Sequence, residues 1–182
     1  MNNKKQTTNK KTLFIVQSGL IAALYVALTW ASNLLNLSYG SIQFRFSEIL
    51  TILPVFTPAA IPGLTIGCFI SNMTSPFGVM DMALGSFATL IASYLGWKLR
   101  NKTFYGLPVL SAIMPTIANP IAVGIVITIS SATTTGATIT TFLITFLQVA
   151  LGELVMATIV GLILYKILKR NGIERIFNDR LK

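Results

Sequence analysis

FSEILTILPVFTPAAIPGLTIGCFISNM, residues 46–73, decides the fold. The stretch is apolar enough to leave water, yet Pro54, Pro58, Pro62 and Gly63 interrupt it. Proline lacks the amide proton of the helical ladder and clashes with the preceding turn, so a single through-going helix is excluded. The spacing predicts two helices of about 12 to 15 residues that fold back near residues 57–62, each short of the ~20 residues a lipid-facing span needs. Irregular backbone at membrane depth survives only where protein buries it or where it lines a cavity, so the broken hairpin itself points to a pocket.

Composition makes membrane depth the relevant setting. The 182-residue chain is 53% hydrophobic and 10% charged, with a mean hydropathy of +0.73, whereas a soluble domain carries about a quarter charged residues. A globule of this size must still cover its surface with polar groups, which excludes a soluble fold and leaves lipid as the main solvent. The single cysteine, Cys68, allows no internal disulfide, and the absence of histidine removes the usual residue of zinc and triad chemistry. No catalytic residue, metal site or cofactor is expected.

The basic residues fall in three clusters, at 4–11, 98–102 and 166–182, with Arg45 apart. Because the clusters flank apolar runs, the net charge of +9 reads as the positive-inside pattern of cytoplasmic loops and not as a nucleic-acid surface. Cytoplasmic clusters on both sides require an even number of spans between 11 and 98, and again between 102 and 166. Residues 12–35 supply the first span; at about 24 residues they exceed a secretory-signal core. The hairpin 46–73 gives two, 80–97 one, and 107–130 and 139–165 the last two. The expectation is an all-α membrane protein of six transmembrane helices, with short, broken second and third helices and both termini cytoplasmic. It forms a single domain, 1–182, without internal repeats: a basic tail (1–11), an external linker SATTTGAT (131–138), and a C-terminal tail (171–182) whose Ile173, Ile176 and Phe177 suit the headgroup interface.

Only Arg45, Glu48, Asp81 and Glu153 carry charge between the clusters. An ionisable group inside a span is expensive and marks a functional site by default. The topology puts Arg45, Glu48, Asn72 and Asp81 at the outer ends of their helices, Asn119 in the outer half of the fifth, and Gln148 and Glu153 between the outer half and the middle of the sixth. These residues converge on a cavity open to the outside and floored by Glu153. Each has a plainer role to weigh against it. Arg45 and Glu48 are spaced to pair with each other, Asp81 suits a helix N-terminus, and Asn72 and Asn119 stand near Pro76 and Pro120, whose neighbours need hydrogen-bond partners. Glu153, beside Gly152 and without a cation nearby in sequence, is hardest to explain structurally. Trp30 and Phe44 could stack on a planar ligand or serve as interfacial anchors, while Trp97 and Tyr165 read as cytoplasmic-side anchors.

Gly19, Ala23, Ala27 and Ala31 recur every four residues and form a small-residue ridge on the first helix. Such a ridge serves either internal packing or docking to another membrane subunit. The chain has no phosphate-binding loop of its own.

IAALYVALT (21–29), IQFRFSEILTILP (42–54), AAIPGLTIGCFISN (59–72), GSFATL (85–90) and LGE (151–153) resemble the QueT family of S components of energy-coupling factor (ECF) importers. The resemblance implies a six-helix protein of the bacterial plasma membrane that captures a queuosine precursor, a 7-deazaguanine base bearing a 7-cyano or 7-aminomethyl group. It also implies a T subunit that meets the small-residue face of the first helix, and two ATPase subunits. A guanine-like edge presents two adjacent N–H donors that Glu153 or Glu48 can accept, with Asn or Gln matching its carbonyl and ring nitrogen. Other readings are an S component for a different vitamin-sized ligand, an intramembrane enzyme using Glu153 and Asp81, and a self-sufficient secondary carrier. The loops at 37–44 and 74–79 are the expected lids.

Overall fold

The structure, a computed structural model, describes residues 2–38, 42–131 and 138–172, with residues 2–9 described as backbone alone. The linker core, the middle of the first lid and the interfacial reading of Ile173, Ile176 and Phe177 lie outside the described residues. Every regular element among those residues is helical: α1 (Asn2–Leu34), a 3-10 helix (Phe46–Val55), α2 (Ala60–Ser71), α3 (Val79–Leu99), α4 (Val109–Ser131), and a last rod made of α5 (Ile139–Glu153), a π-helical segment (Leu154–Val160) and α6 (Gly161–Arg170). Four stretches are long and apolar enough to cross a membrane: Lys10–Leu34, Val79–Leu99, Val109–Ser131 and Ile139–Arg170.

The middle hairpin is broken where the prolines lie, but not into two α-helices. Its first arm is a 3-10 helix of 10 residues, which at about 2.0 Å per residue spans roughly 20 Å. Its second arm, α2, has 12 residues, or about 18 Å at 1.5 Å each. Pro54 sits inside the first arm and Pro62 in the first turn of α2, where a missing amide costs least. Neither arm covers the ~30 Å of hydrocarbon alone.

Neighbours supply what length does not. The 3-10 helix is central, touching α1, α2, α3, α4, the π segment and α6, while α1 through α5 pack each against the next. Ile52 is fully buried beside Tyr25 and Leu64, and Phe56 stacks on Tyr165 with centroids 5.2 Å apart. Tyr165 is therefore packed against the core, where α6 turns its ring toward the 3-10 helix, and is not exposed to lipid as an anchor near Lys166 would be.

α1 divides into two faces. Gln17, Ser18, Ile21, Ala22, Tyr25, Thr29 and Ser32 are buried at helical spacing. Gly63 and Gly67 of α2 bring the helices together, since an added Cβ would lie 2.8 Å from the Ser18 carbonyl oxygen or 2.7 Å from Tyr25 Cβ. The ridge lies on the other face: Gly19, Ala23 and Ala27 are exposed and Ala31 is half-buried. Internal packing of α1 thus uses the glycines of α2, and the ridge stays uncovered.

Candidate functional site

Hydrogen bonds between side chains and across the backbone stitch α1 to the hairpin, among them four that run along its length. Ser18 Oγ donates to the Ala59 carbonyl (3.0 Å), Thr29 Oγ1 to Ser47 Oγ (2.8 Å), the Phe46 amide to Ser32 Oγ (2.8 Å), and Tyr25 Oη to Glu48 Oε1 (2.5 Å). Each polar group is paired away from water, as burial in an apolar setting demands.

The other carboxylate oxygen of Glu48 faces α4. Asn119 Nδ2 donates to Glu48 Oε2 at 3.2 Å and to Glu153 Oε1 at 2.8 Å, so one amide bridges two carboxylates from separate elements. Two acceptors remain: Glu153 Oε2 and Asn119 Oδ1 are buried without a hydrogen-bond partner among the described residues. Buried acceptors left open cost about 1 to 3 kcal/mol each, and here both belong to residues lining one cavity.

A second cluster completes the wall. Arg45 Nη1 donates to Asn72 Oδ1 (3.2 Å), and Nη2 lies 3.8 Å from Asp81 Oδ2. Ser75 Oγ donates to the same Asp81 oxygen (2.6 Å), while Asn72 Nδ2 donates to the Asp81 carbonyl (3.2 Å) and to Cys68 Sγ (3.4 Å). Gly85 makes room for Asn72, whose Nδ2 lies 2.8 Å from where a Cβ would stand. Arg45 thus reaches across to α3 through Asn72 and Asp81. Asp81 does sit in the first turn of α3, but at 2% exposure it is an ion-pair partner as well as a helix-end residue. Ser75 and Asn72 tie the 72–79 connection down, and Gly78 takes it into α3 with φ of 61°, a conformation open to glycine.

The cavity between the clusters is lined by Arg45, Glu48, Asp81, Asn119 and Glu153 of the expected set, and also by Gln43, Cys68 and Thr89. Its volume is about 20 Å³, room for about one water. Asn72 stands behind it, holding Arg45. Gln148, Trp30 and Phe44 do not line it. Gln148 is five positions from Glu153 and Trp30 five from Tyr25, about 140° around a helix, so Gln148 does not share the face of Glu153 nor Trp30 that of Tyr25; Trp30 is half exposed. Phe44 lies between buried Gln43 and Arg45, and in extended chain neighbours point opposite ways. That same alternation puts Gln43 on the side of Arg45. Gly152 lets this segment lie against the last rod, because an added Cβ would collide with the Gln43 carbonyl oxygen. Tyr25 gave no signal in sequence, since a tyrosine within a span reads as core or anchor.

Among the described residues no group of histidine, cysteine and carboxylates is placed to hold a metal. The site is a polar, charge-bearing pocket inside an apolar bundle, suited to hydrogen-bonding a small polar molecule.

Residues 15–170 match the family model described as QueT transporter. The chain belongs to the QueT transporter family. Within it, an 86-residue stretch is 45% identical to a protein of Lactococcus lactis subsp. cremoris (strain MG1363) named queuosine precursor transporter QueT, covering 47% of this chain and 50% of that one. The alignment thus spans half the length of that relative. No solved structure matches the chain. The family is described as one of transporters, and the four long apolar helices of this QueT-family chain support a multi-pass membrane protein.

Proposed function

We propose that the chain is the substrate-binding S component of an ECF-type importer in the bacterial plasma membrane, capturing a 7-deazaguanine precursor of queuosine from outside. Six spans with both termini cytoplasmic accompany this reading, the two short hairpin arms counting as spans because neighbours shield them. The observation that carries it is the Glu48–Asn119–Glu153 bridge with open acceptors on Glu153 and Asn119. A guanine-like edge offers adjacent N–H and amino donors to a carboxylate, and the ligand's carbonyl finds donors in Arg45 or Gln43. A bicyclic base exceeds a cavity of about 20 Å³, so its walls part on entry. The non-helical segment 42–45, resting on Gly152, is the wall best placed to move. The name of the Lactococcus lactis relative, a queuosine precursor transporter, supports the ligand class.

The exposed ridge of Gly19, Ala23 and Ala27 supports docking to a T subunit, with two ATPase subunits supplying energy. Close approach of small residues is how helices associate in lipid.

The deciding experiment measures binding by the purified protein to 7-cyano- and 7-aminomethyl-7-deazaguanine, guanine, riboflavin and biotin, repeated with Glu153→Gln and Glu48→Gln. We expect a deazaguanine preference, with each substitution weakening affinity roughly 10- to 100-fold, as for a lost charge-assisted hydrogen bond. Equal binding of all five ligands would overturn the substrate assignment. Uptake into proteoliposomes without an ATPase would overturn the ECF assignment. A reporter near Lys102 reading cytoplasmic and one near Thr134, outside the described residues, reading external would support the topology.

A further inference from the structure

A second cavity, of about 290 Å³, opens at the other end of the bundle, where the turn after the 3-10 helix, the end of α3 and the middle of α6 meet. It is lined by Phe56, Pro58, Trp97, Arg100, Asn101 and Tyr165. Its charge is the reverse of the first cavity's. The acids among the described residues, Glu48, Asp81 and Glu153, all line the first cavity. Here Arg100 is in the wall, and Lys169 Nζ donates to the hydroxyl of Tyr165 at 3.2 Å.

Among the described residues the cations are held by aromatic rings and not by carboxylates. The Arg100 guanidinium lies 4.5 Å from the Trp97 ring centroid, Lys169 Nζ 5.5 Å from that of Tyr165, and Lys98 Nζ 5.0 Å from that of Tyr94. Arg100 Nη1 also donates to the Trp97 carbonyl at 2.8 Å, completing the end of α3. That bond uses one of five guanidinium donors, and a planar fork of this kind suits phosphate. Tyr94 and Trp97 contact each other, with Tyr94 exposed, at the last turn of a membrane-length helix. This is where an aromatic belt meets headgroups.

We propose that this cavity binds the phosphate of an anionic phospholipid headgroup, with Arg100 of its wall and Lys169, bonded to the wall's Tyr165, as charge partners, Asn101 as a polar contact, and the stacked Phe56–Tyr165 wall against the glycerol. Cavity size, charge sign, aromatic seating and position at the lipid interface all point to the same occupant, and basic pockets between spans are where such headgroups lodge. The site is independent of the substrate at the first cavity.

The two tryptophans make the test direct. A Trp30→Phe protein carries Trp97 as its sole tryptophan and is reconstituted in phosphatidylcholine vesicles containing acyl-brominated phosphatidylglycerol or acyl-brominated phosphatidylcholine at equal mole fraction. Quenching of Trp97 is expected to favour phosphatidylglycerol, by roughly fivefold in relative affinity for each cation engaged. Arg100→Gln and Lys169→Gln each remove about that factor, and Arg100→Lys retains most of it. Equal quenching by both lipids in the Trp30→Phe protein, or of total tryptophan emission in the unsubstituted protein, overturns the proposal. So does a change in Trp97 emission on adding millimolar inorganic phosphate without any phosphatidylglycerol preference, which would make the occupant free phosphate.

Discussion

Tyr25 donates its hydroxyl to Glu48 across 2.5 Å, joining the first helix to the wall of the polar cavity from a site 23 residues away in sequence. Both side chains are almost fully buried. The face of α1 that carries Tyr25 is opposite the exposed ridge, so one helix contacts the candidate binding site on one side and presents the candidate docking surface on the other.

Tyr25→Phe removes the donor and keeps the ring. Glu48 Oε1 then loses its partner inside the bundle, at a cost of about 1 to 3 kcal/mol. Unfolding followed in detergent should show a lowered midpoint, and an unchanged one would mean that Glu48 finds water in the parent protein.

Asn119→Ala takes away the amide that Glu48 and Glu153 share. The two carboxylates then face each other without a common donor, so the effect should depend on their charge. In a double-mutant cycle with Glu153→Gln, we expect a coupling of about 0.5 to 3 kcal/mol. Additive effects on stability would sever the bridge as an energetic unit.

Glycines at helix contacts differ in a way that one pair of variants exposes. Gly67→Ala drives a methyl to within 2.7 Å of Tyr25 Cβ and should destabilise the α1–α2 contact by about 1 to 3 kcal/mol. Gly19→Ala meets nothing within 4 Å and should leave thermal stability unchanged or slightly raised. Equal losses from the two would contradict the two-faced reading of α1.

Gly152→Ala places a methyl where the Gln43 carbonyl oxygen lies. Segment 42–45 must withdraw, widening the small cavity and loosening Arg45. A spin label at Ile42 should gain mobility and ligand affinity should fall; tight binding with an immobile label would show that this segment is not the moving wall.

Ala23→Trp and Ala27→Trp enlarge the exposed ridge. Neither should alter ligand binding by the isolated protein, because both positions are exposed, while uptake with the proposed T and ATPase subunits should be lost. Undiminished uptake would remove the ridge as a docking face.

Much of the candidate cavity was legible in sequence because charge in lipid is rare and costly: Arg45, Glu48, Asp81 and Glu153 stood out by that rule alone, and all four line it. Asn119 stood out by depth. Gln148, Trp30 and Phe44 were drawn in by depth as well, but depth fixes the height of a residue and not its azimuth, and the helical or extended register turns these three elsewhere. Tyr25, Cys68 and Thr89 were illegible, since uncharged residues of these types occupy any apolar bundle. Tyr165 was read as an anchor from its nearness to Lys166, and its burial depends on where the 3-10 helix lies.

The sequence by itself determined that the chain is helical, lies in a membrane and cannot carry residues 46–73 across as one rod, because hydropathy and proline act locally and tolerate no rescue at a distance. Only the tertiary structure decided that the first arm is a 3-10 helix at the centre of the bundle, that one asparagine joins two carboxylates, and that the ridge on α1 faces outward. Each of those depends on which helix face meets which neighbour, and that follows from packing the whole set of helices at once, with the glycines of α2 claiming the inner face of α1 before its own small residues could.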